Sequence, residues 1–523
     1  MGRNTIEVES DQENASTINA TMAHNIIGHC ILSGVSEFCI CPGARNGALI
    51  DCLKEVKGLQ TYFFFEERCA AFFALGRVKS TTKPVAVITT SGTAVGELLP
   101  AAMEGYYSGL PLLLISADRP RNYRGSGAPQ SAEQVNIFGI YTPFSEDLQF
   151  GEDCNLQKWD QLTPAHLNIS FEESYDHSFD HLPSLTFTEP YKKATTVKNY
   201  QYDELNLFLK ESKNPIAIVS TLPEKDKSRT LEFLVKLGIP VYCEAVSGIR
   251  ESVRLKHLRI KSIDKLWNSA DSAGVSIDGV IRIGGVPTCR LWRDLEKNRI
   301  KVVSISSLPF PGLSWSDVIH VDLSEYLGRH NTVPHPCATH FRLMQTIDHA
   351  AYSKLSDSFI ENPKAEKSLI HSISNQLPKD SIVYLGNSLP IREWDQCATY
   401  EDRGYRVFAS RGMNGIDGQL STFLGLCEST KSNWAIVGDL TAMYDLAAPW
   451  VIEQIKCKNI NIIIINNSGG KIFSYLFKNE QLQNNHTKNF KYFAKQWGLD
   501  YSICSEFVIT ENRGPRIIEV IPA

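Results

Sequence analysis

Short apolar runs of strand length alternate with helical stretches from one end of this sequence to the other, and that alternation limits what the chain can fold into. Runs such as "PVAVITT", "PLLLISAD", "PIAIVST", "WAIVGDL" and "NINIIIINN" are rich in β-branched and aliphatic residues, which suit a pleated, packed surface. Between them lie stretches such as "EERCAAFFALGRVKS" and "SRTLEFLVKLG", long enough for helices. Strand and helix in alternation predict βαβ units and a mostly parallel sheet, so the expected fold class is α/β. At 523 residues the chain is too long for a single core. The pattern repeats in three blocks, and three domains are expected at 1–190, 191–365 and 366–523.

Ligands of open parallel sheets gather beyond the carboxyl ends of the strands. In the first and third blocks those ends read "CPGAR", "FEER", "TTSGT", "SADRP", "GNSLPIR", "SRGMNGIDG", "VGDLTAMYD" and "NNSGGKIF". They are rich in Gly, Arg, Asp, Asn and Glu, whereas the middle block ends in the blander "VST" and "IGGVPT". The chemistry is therefore expected between the first and third domains.

A net charge of -5 over this length gives no reason to expect nucleic acid or an anionic membrane as a partner. No apolar run reaches the roughly 20 residues of a membrane span. The polar, acidic start "MGRNTIEVESDQENAS" has no apolar signal core. The 13 cysteines are odd in number and scattered without a C-x-x-C pair. They are expected to be reduced thiols, many of them buried, in a cytoplasmic protein.

Two strand ends suggest specific chemistry. Asp439 closes "WAIVGDL", and Asn467 stands at the end of the next predicted strand. A carboxylate, a side-chain amide and a nearby backbone carbonyl are hard oxygen ligands, suited to Mg²⁺ or Ca²⁺ held together with phosphate groups. Gly438, Gly469 and Gly470 would let a bulky anion approach the backbone, and a helix starting at "LTAMYDLAAPW" would aim N–H groups at it. A plain turn is the alternative, because Asn, Ser and Gly are also turn residues. The spacing resembles the thiamin diphosphate signature, G-D-G followed by N-N, with Leu440 in place of the third Gly.

The second strand end is the junction of "TYFFF" with a helix, where Glu66 and Glu67 lie side by side. Glu66 fits an acidic first turn stabilised by the helix dipole. Glu67, between aromatics and small apolar residues, is expected to be partly buried. Burial raises a carboxyl pKa and keeps a proton available for donation and return. Four arginines also stand at strand ends, Arg45, Arg119, Arg392 and Arg411, and their planar forks suit carboxylates.

"CPGARNGAL", "FEERCAAFFALG", "TTSGTAVGELLPAAMEGYYSGLPLLLISADRP", "PAHLNISFEE", "GNSLPIREWD", "RGMNGIDGQLSTFLG", "VGDLTAMYDLAA" and "INNSGGKIFS" occur in this order. Together they resemble the 2-succinyl-5-enolpyruvyl-6-hydroxy-3-cyclohexene-1-carboxylate synthases of menaquinone and phylloquinone biosynthesis, a thiamin diphosphate-dependent family. Leu440 also matches that family's pattern. The resemblance implies a pyrimidine-binding domain at 1–190, a central domain at 191–365 and a diphosphate-binding domain at 366–523. It implies a carboligase that decarboxylates 2-oxoglutarate on thiamin diphosphate and adds the succinic-semialdehyde carbanion to isochorismate in a 1,4 sense. Another thiamin-dependent 2-oxoacid decarboxylase or carboligase, or a non-catalytic homologue, is the alternative.

Carried over residue by residue, the resemblance makes Glu67 the catalytic acid that hydrogen-bonds the cofactor's pyrimidine N1′. Asp439, Asn467 and the carbonyl of Gly469 would hold Mg²⁺ or Mn²⁺, with Gly438, Ser388 and Ile416 also against the cofactor. Ile416 would prop its bent conformation. Arg392, Arg411, Asn387 and Ser388 would take the part derived from 2-oxoglutarate. Arg45, Arg119, Gln130 and Arg290 would face isochorismate, and Ile472 and Phe473 would form an apolar wall near the reacting carbon. Three positions depart from the family: Ala44 stands for Ser, Pro129 for Asn and Arg290 for Lys. The usual final helix is not expected after "PRIIEVIPA". In relatives the glutamate and the metal site meet across two subunits, so a homodimer or homotetramer is expected.

Overall fold

The structure is a computed structural model that describes residues 4–174, 177, 179–187, 200–269, 276–336, 338–475, 477, 479–510 and 514–523. The domain boundary expected at 190/191 lies outside these described residues. Strands β1 (Glu37–Ile40), β2 (Gln60–Phe63), β3 (Val85–Thr89), β4 (Leu112–Asp118), β5 (Phe144–Leu148) and β6 (Ala165–Ser170) form one sheet in the order β2-β1-β3-β4-β6-β5. A second sheet holds β7 (Pro215–Val219), β8 (Val241–Cys243), β9 (Gly279–Ile283), β10 (Lys301–Ser306) and β11 (Ile319–His320), in the order β11-β10-β9-β7-β8. The third holds β12 (Ile382–Leu385), β13 (Arg406–Phe408), β14 (Asn433–Gly438), β15 (Ile460–Ile465), β16 (Asp500–Cys504) and β17 (Arg516–Val520), in the order β13-β12-β14-β15-β17-β16.

Neighbouring strands pair in parallel in all three sheets. Helices connect and cover them, which is the α/β architecture the alternating sequence predicts. Every residue of β3, β4, β6, β7, β9, β12, β15 and β17 is buried, so these strands could not have shown polar alternation. The first and third sheets share one strand order. In each, the chain lays its second strand on one side of the first and its third on the other. That reversal falls between β1 and β3, and again between β12 and β14. Strand ends diverge there and leave a crevice for ligands.

By packing, the chain forms two compact units. One comprises Met1–Thr195 with the segments Gly412–Cys427 and Ala442–Cys457; the other comprises Thr196–Arg411, Glu428–Thr441 and Lys458–Ala523. Within the first unit, helix Glu67–Thr81 crosses helix Gln419–Leu426 at two glycines. A Cβ on Gly76 would stand 2.1 Å from the Thr422 carbonyl oxygen, and one on Gly425 would stand 2.2 Å from that of Phe73. Buried Asp445 ties the third segment in, accepting from the Ser421 N–H at 2.7 Å, its hydroxyl at 3.0 Å and the Cys69 thiol at 3.3 Å. Desolvation raises the Asp445 carboxyl pKa, and these donors oppose the rise.

Among the described residues every cysteine is free, and all but Cys504 are buried. No described helix is long and apolar enough to cross a membrane. The crossing yields a prediction. Gly76→Ala drives a methyl into backbone that cannot rotate away, so it should destabilise the protein by about 1–3 kcal/mol. A thermal melt should register a lowered midpoint, while Gly96→Ala, with open space at its Cβ position, should melt close to the wild type.

Candidate active site

In the first unit, the strand ends of the first sheet bring together four of the sequence-predicted residues. Glu66 caps helix Glu67–Thr81, its carboxylate accepting the Cys69 N–H at 2.8 Å. That bond occupies Glu66 and leaves Glu67 as the half-buried carboxyl. Burial raises the Glu67 pKa, and the charges of Glu66 and Glu97 push the same way. Ile416 lies in the loop before helix Gln419–Leu426, and Gly418 of that loop lies against Phe72, on the helix that Glu67 opens. Arg45 follows β1 and Arg119 follows β4. Both guanidiniums reach Glu173 Oε1, at 2.6 Å and 2.8 Å. Arg119 Nε also donates to the Pro129 carbonyl at 3.1 Å. A backbone atom makes that contact, so proline in place of asparagine leaves it intact. Gln130 beside it has φ 56°, and its Cα would lie 3.4 Å from a Cβ on Gly92, which places it over the end of β3.

In the second unit, the third sheet's strand ends carry the rest. Asn387 and Ser388 follow β12, Arg411 follows β13, and Asp439 follows β14. Arg411 donates to Asn387 Oδ1 at 2.7 Å and contacts the Thr288 hydroxyl. Arg392 donates to the Ser388 carbonyl at 2.5 Å. Ser388 is held at φ 74°, a strained conformation for a serine. Burial pulls the Arg392 pKa down, and the neighbouring Arg411 and Arg293 charges pull it further. Cations that destabilise each other in this way form a seat for an anion. Arg290 stands apart from this contact set: its side chain is 58% exposed, 3.5 Å from Asp294. Thr288, two residues before the helix that Arg290 opens, touches Arg411 as well. Ile472 and Phe473 lie in the turn Lys471–Tyr475, with the Phe473 ring 6.4 Å from that of Phe477.

Asp439 and Asn467 present oxygens that fit a cation. Asp439 accepts the Leu440 N–H at 2.6 Å and the Gly469 N–H at 2.9 Å, with His486 Nε2 at 3.2 Å from Oδ2. Gly469 has φ 138°, and a Cβ there would strike the Gln483 carbonyl oxygen at 2.6 Å. Its own carbonyl accepts the Lys471 N–H at 2.9 Å, leaving one lone pair for another partner. Asn467 Nδ2 donates to Glu366 Oε2 at 2.9 Å, which fixes the amide, while Oδ1 is buried with no hydrogen-bond partner. A buried amide oxygen without a donor is costly unless something positive meets it. Among the described residues no three His, Cys, Asp or Glu side chains cluster to hold a metal. Amide, carbonyl and phosphate oxygens would therefore complete the shell, as suits Mg²⁺.

Residues 20–137 match the family model for the N-terminal TPP-binding domain of thiamine pyrophosphate enzymes. The 2-succinyl-5-enolpyruvyl-6-hydroxy-3-cyclohexene-1-carboxylate synthase of Bdellovibrio bacteriovorus is 44% identical over 494 residues, covering 92% of this chain and 91% of the relative. The chain belongs to this synthase family. The synthase of that name from Akkermansia muciniphila is 35% identical, covering 96% of each chain. The crystal structure of a candidate thiamin diphosphate-dependent enzyme from Mycobacterium smegmatis shares the fold. Its TM-score is 0.68 at 16% identity, over 95% of this chain and 99% of that one.

Sequence reasoning overlooked Glu366, Glu393, Thr288 and Glu173. Glu366 is half-buried beside buried Glu393; desolvation raises both carboxyl pKa values, and the pair raises Glu393 further. Glu366 opens helix Glu366–Gln376, where an acid looks like an ordinary dipole partner, so no local signal marked it. Two outcomes follow from the site. Asp439→Ala should abolish Mg²⁺-dependent thiamin diphosphate binding. Glu366→Ala, which frees the Asn467 amide to rotate, should weaken it about 10–100-fold. Tryptophan-fluorescence titration with and without Mg²⁺ measures both, and wild-type affinity in Asp439→Ala would remove it from the cation site.

Proposed function

We propose that this chain decarboxylates 2-oxoglutarate on thiamin diphosphate and joins the resulting four-carbon unit to isochorismate in a 1,4 sense. The product is 2-succinyl-5-enolpyruvyl-6-hydroxy-3-cyclohexene-1-carboxylate. The observation that carries the reading is two separate arginine pairs, Arg45 with Arg119 beyond β1 and β4, and Arg411 beyond β13 with Arg392 in helix Leu389–Cys397. Each substrate is a dicarboxylate, and each pair offers guanidinium forks that match carboxylate geometry. An acceptor no larger than pyruvate would need no such provision.

Thiamin diphosphate, when bound, supplies a carbon nucleophile and a sink for the electrons released on decarboxylation. The chain's residues bind, orient and move protons. Asp439, Asn467 and the Gly469 carbonyl would hold Mg²⁺ or Mn²⁺, and Gly438 would give room for the diphosphate. Ser388 and Ile416 would lie against the cofactor, Ile416 supporting it. Glu67 holds a proton at its carboxyl for the pyrimidine N1′, and burial keeps that proton on at higher pH than in water. Arg392 and Arg411, steadied by Ser388 and Asn387, take the 2-oxoglutarate carboxylates. Arg45, Arg119, Gln130 and Arg290 take isochorismate, and Ile472 and Phe473 keep water from the reacting carbon. The active form is a homodimer or homotetramer acting on small molecules in the cytoplasm.

The deciding assay follows CO₂ release from 2-oxoglutarate with thiamin diphosphate and Mg²⁺, with and without isochorismate. Release that requires isochorismate and consumes it is expected; release independent of it would make the enzyme a decarboxylase with another acceptor. Glu67→Gln should bind cofactor normally but slow H/D exchange at the cofactor's C2 by about 10²–10⁴-fold. The pH sign follows from the raised Glu67 pKa. The protonated carboxyl persists below that value, so kcat should hold there and fall as pH rises through it. A glutamine variant should lose that limb.

A further inference from the structure

Glu173 joins the two arginines proposed to bind isochorismate. Its Oε1 accepts Arg45 at 2.6 Å and Arg119 at 2.8 Å, so one carboxylate oxygen bridges two guanidiniums. The three partners differ in how firmly they are held. Arg45 is only 12% exposed and also points at the carbonyls of Phe171 and Glu172, each at 3.3 Å. Arg119 is 20% exposed, donates to the Pro129 carbonyl, and has its guanidinium 5.2 Å from the Tyr123 ring centre. Glu173 is 44% exposed and makes only these two contacts among the hydrogen bonds and ion pairs described for its carboxylate. The arginines are fixtures; the glutamate, with water beside it, can leave only by giving up both ion pairs.

We propose that Glu173 is a displaceable internal carboxylate that fills the Arg45–Arg119 seat until a substrate carboxylate takes its place. This inference rests on the reading of that pair as the isochorismate seat. Two guanidiniums converging in a partly buried site repel each other, and an anion between them relieves the repulsion. Glu173 therefore keeps the seat assembled when it is empty. It also makes Glu173 a specificity-determining residue. A neutral acceptor gains nothing from the arginines that would offset breaking two ion pairs, whereas a carboxylate exchanges one pair of ionic contacts for another. The cost is reduced apparent affinity, because only the fraction of enzyme with Glu173 swung out can bind.

The test uses the full chain with thiamin diphosphate and Mg²⁺. Glu173→Gln keeps shape but removes the competing charge. If the seat is open about a tenth of the time, the isochorismate KM should fall roughly tenfold while the 2-oxoglutarate KM holds. Inhibition by benzoate, a plain carboxylate probe, should tighten in parallel, and benzamide should remain a poor inhibitor. Glu173→Asp, which restores the charge, should return the isochorismate KM toward the wild type. A rise in isochorismate KM in Glu173→Gln, with an unaltered melting temperature, would make Glu173 an anchor and overturn displacement. An unchanged KM would overturn it equally. Arg45→Gln separates this from the underlying reading: if that variant leaves the isochorismate KM unchanged, the seat itself is misassigned. A raised KM in Arg45→Gln together with a raised KM in Glu173→Gln defeats displacement alone.

Discussion

Parallel pairing is the constraint on which the rest of this structure depends. When every strand of a sheet runs the same way, all its carboxyl ends fall on one edge, and the residues that follow them share a neighbourhood. Arg45, Glu67, Gly92, Arg119 and Glu173 come from separate parts of the first unit's sequence, yet each follows a strand of the same sheet. Asn387, Arg411, Asp439 and Asn467 repeat that arrangement on the third sheet, with the same strand order. Helices cover the faces, so the edge is where polar groups can collect without violating the apolar core. Buried, non-alternating strands and reactive strand ends are thus two consequences of one topology.

Topology alone does not bring a loop to within reach of a particular carboxyl. That is the work of the glycine crossing in the first unit. Because neither Gly76 nor Gly425 carries a Cβ, two helices approach backbone to backbone, and the loop bearing Ile416 is carried to the helix that Glu67 opens. Asp445 reinforces the arrangement by accepting donors from both Ser421 and Cys69. A buried carboxylate is a poor source of net stability but a stringent one of geometry, since any rearrangement would strand it without partners. The crossing and the aspartate together determine where the loop can sit.

What could be read from the sequence was local. Strand composition gave the α/β class, and the change from isoleucines to "NNSGG" marked a candidate site because turn-forming residues ended a strand at the edge where ligands of parallel sheets gather. The contrast between Glu66 and Glu67 was also legible, since capping is a short-range matter, and Glu66 does cap. The crossing at Gly76 and Gly425 left no such trace. Its partners lie hundreds of residues apart, and a glycine within a helical pattern says only that a little stability was given up. Glu366 was hidden for a different reason: it stands where helix dipoles commonly attract acids, and only its contact with Asn467 distinguishes it. Thr288 left no trace because a hydroxyl between proline and cysteine suggests nothing by itself, and only its contact with Arg411 distinguishes it.

Glu173 and Glu366 show how exposure separates two uses of the same functional group. Each is a carboxylate that contacts a proposed ligand-binding side chain. Glu366 is largely desolvated and paired with Glu393, so leaving Asn467 would cost it a hydrogen bond that little water is at hand to replace. It therefore acts as a brace, holding the amide so that its free oxygen keeps one direction. Glu173 has water beside it, and every contact it loses to an incoming carboxylate can be replaced by hydration. It therefore acts as an occupant. Exposure, more than residue type, decides whether an acid beside a binding site supports the ligand or competes with it.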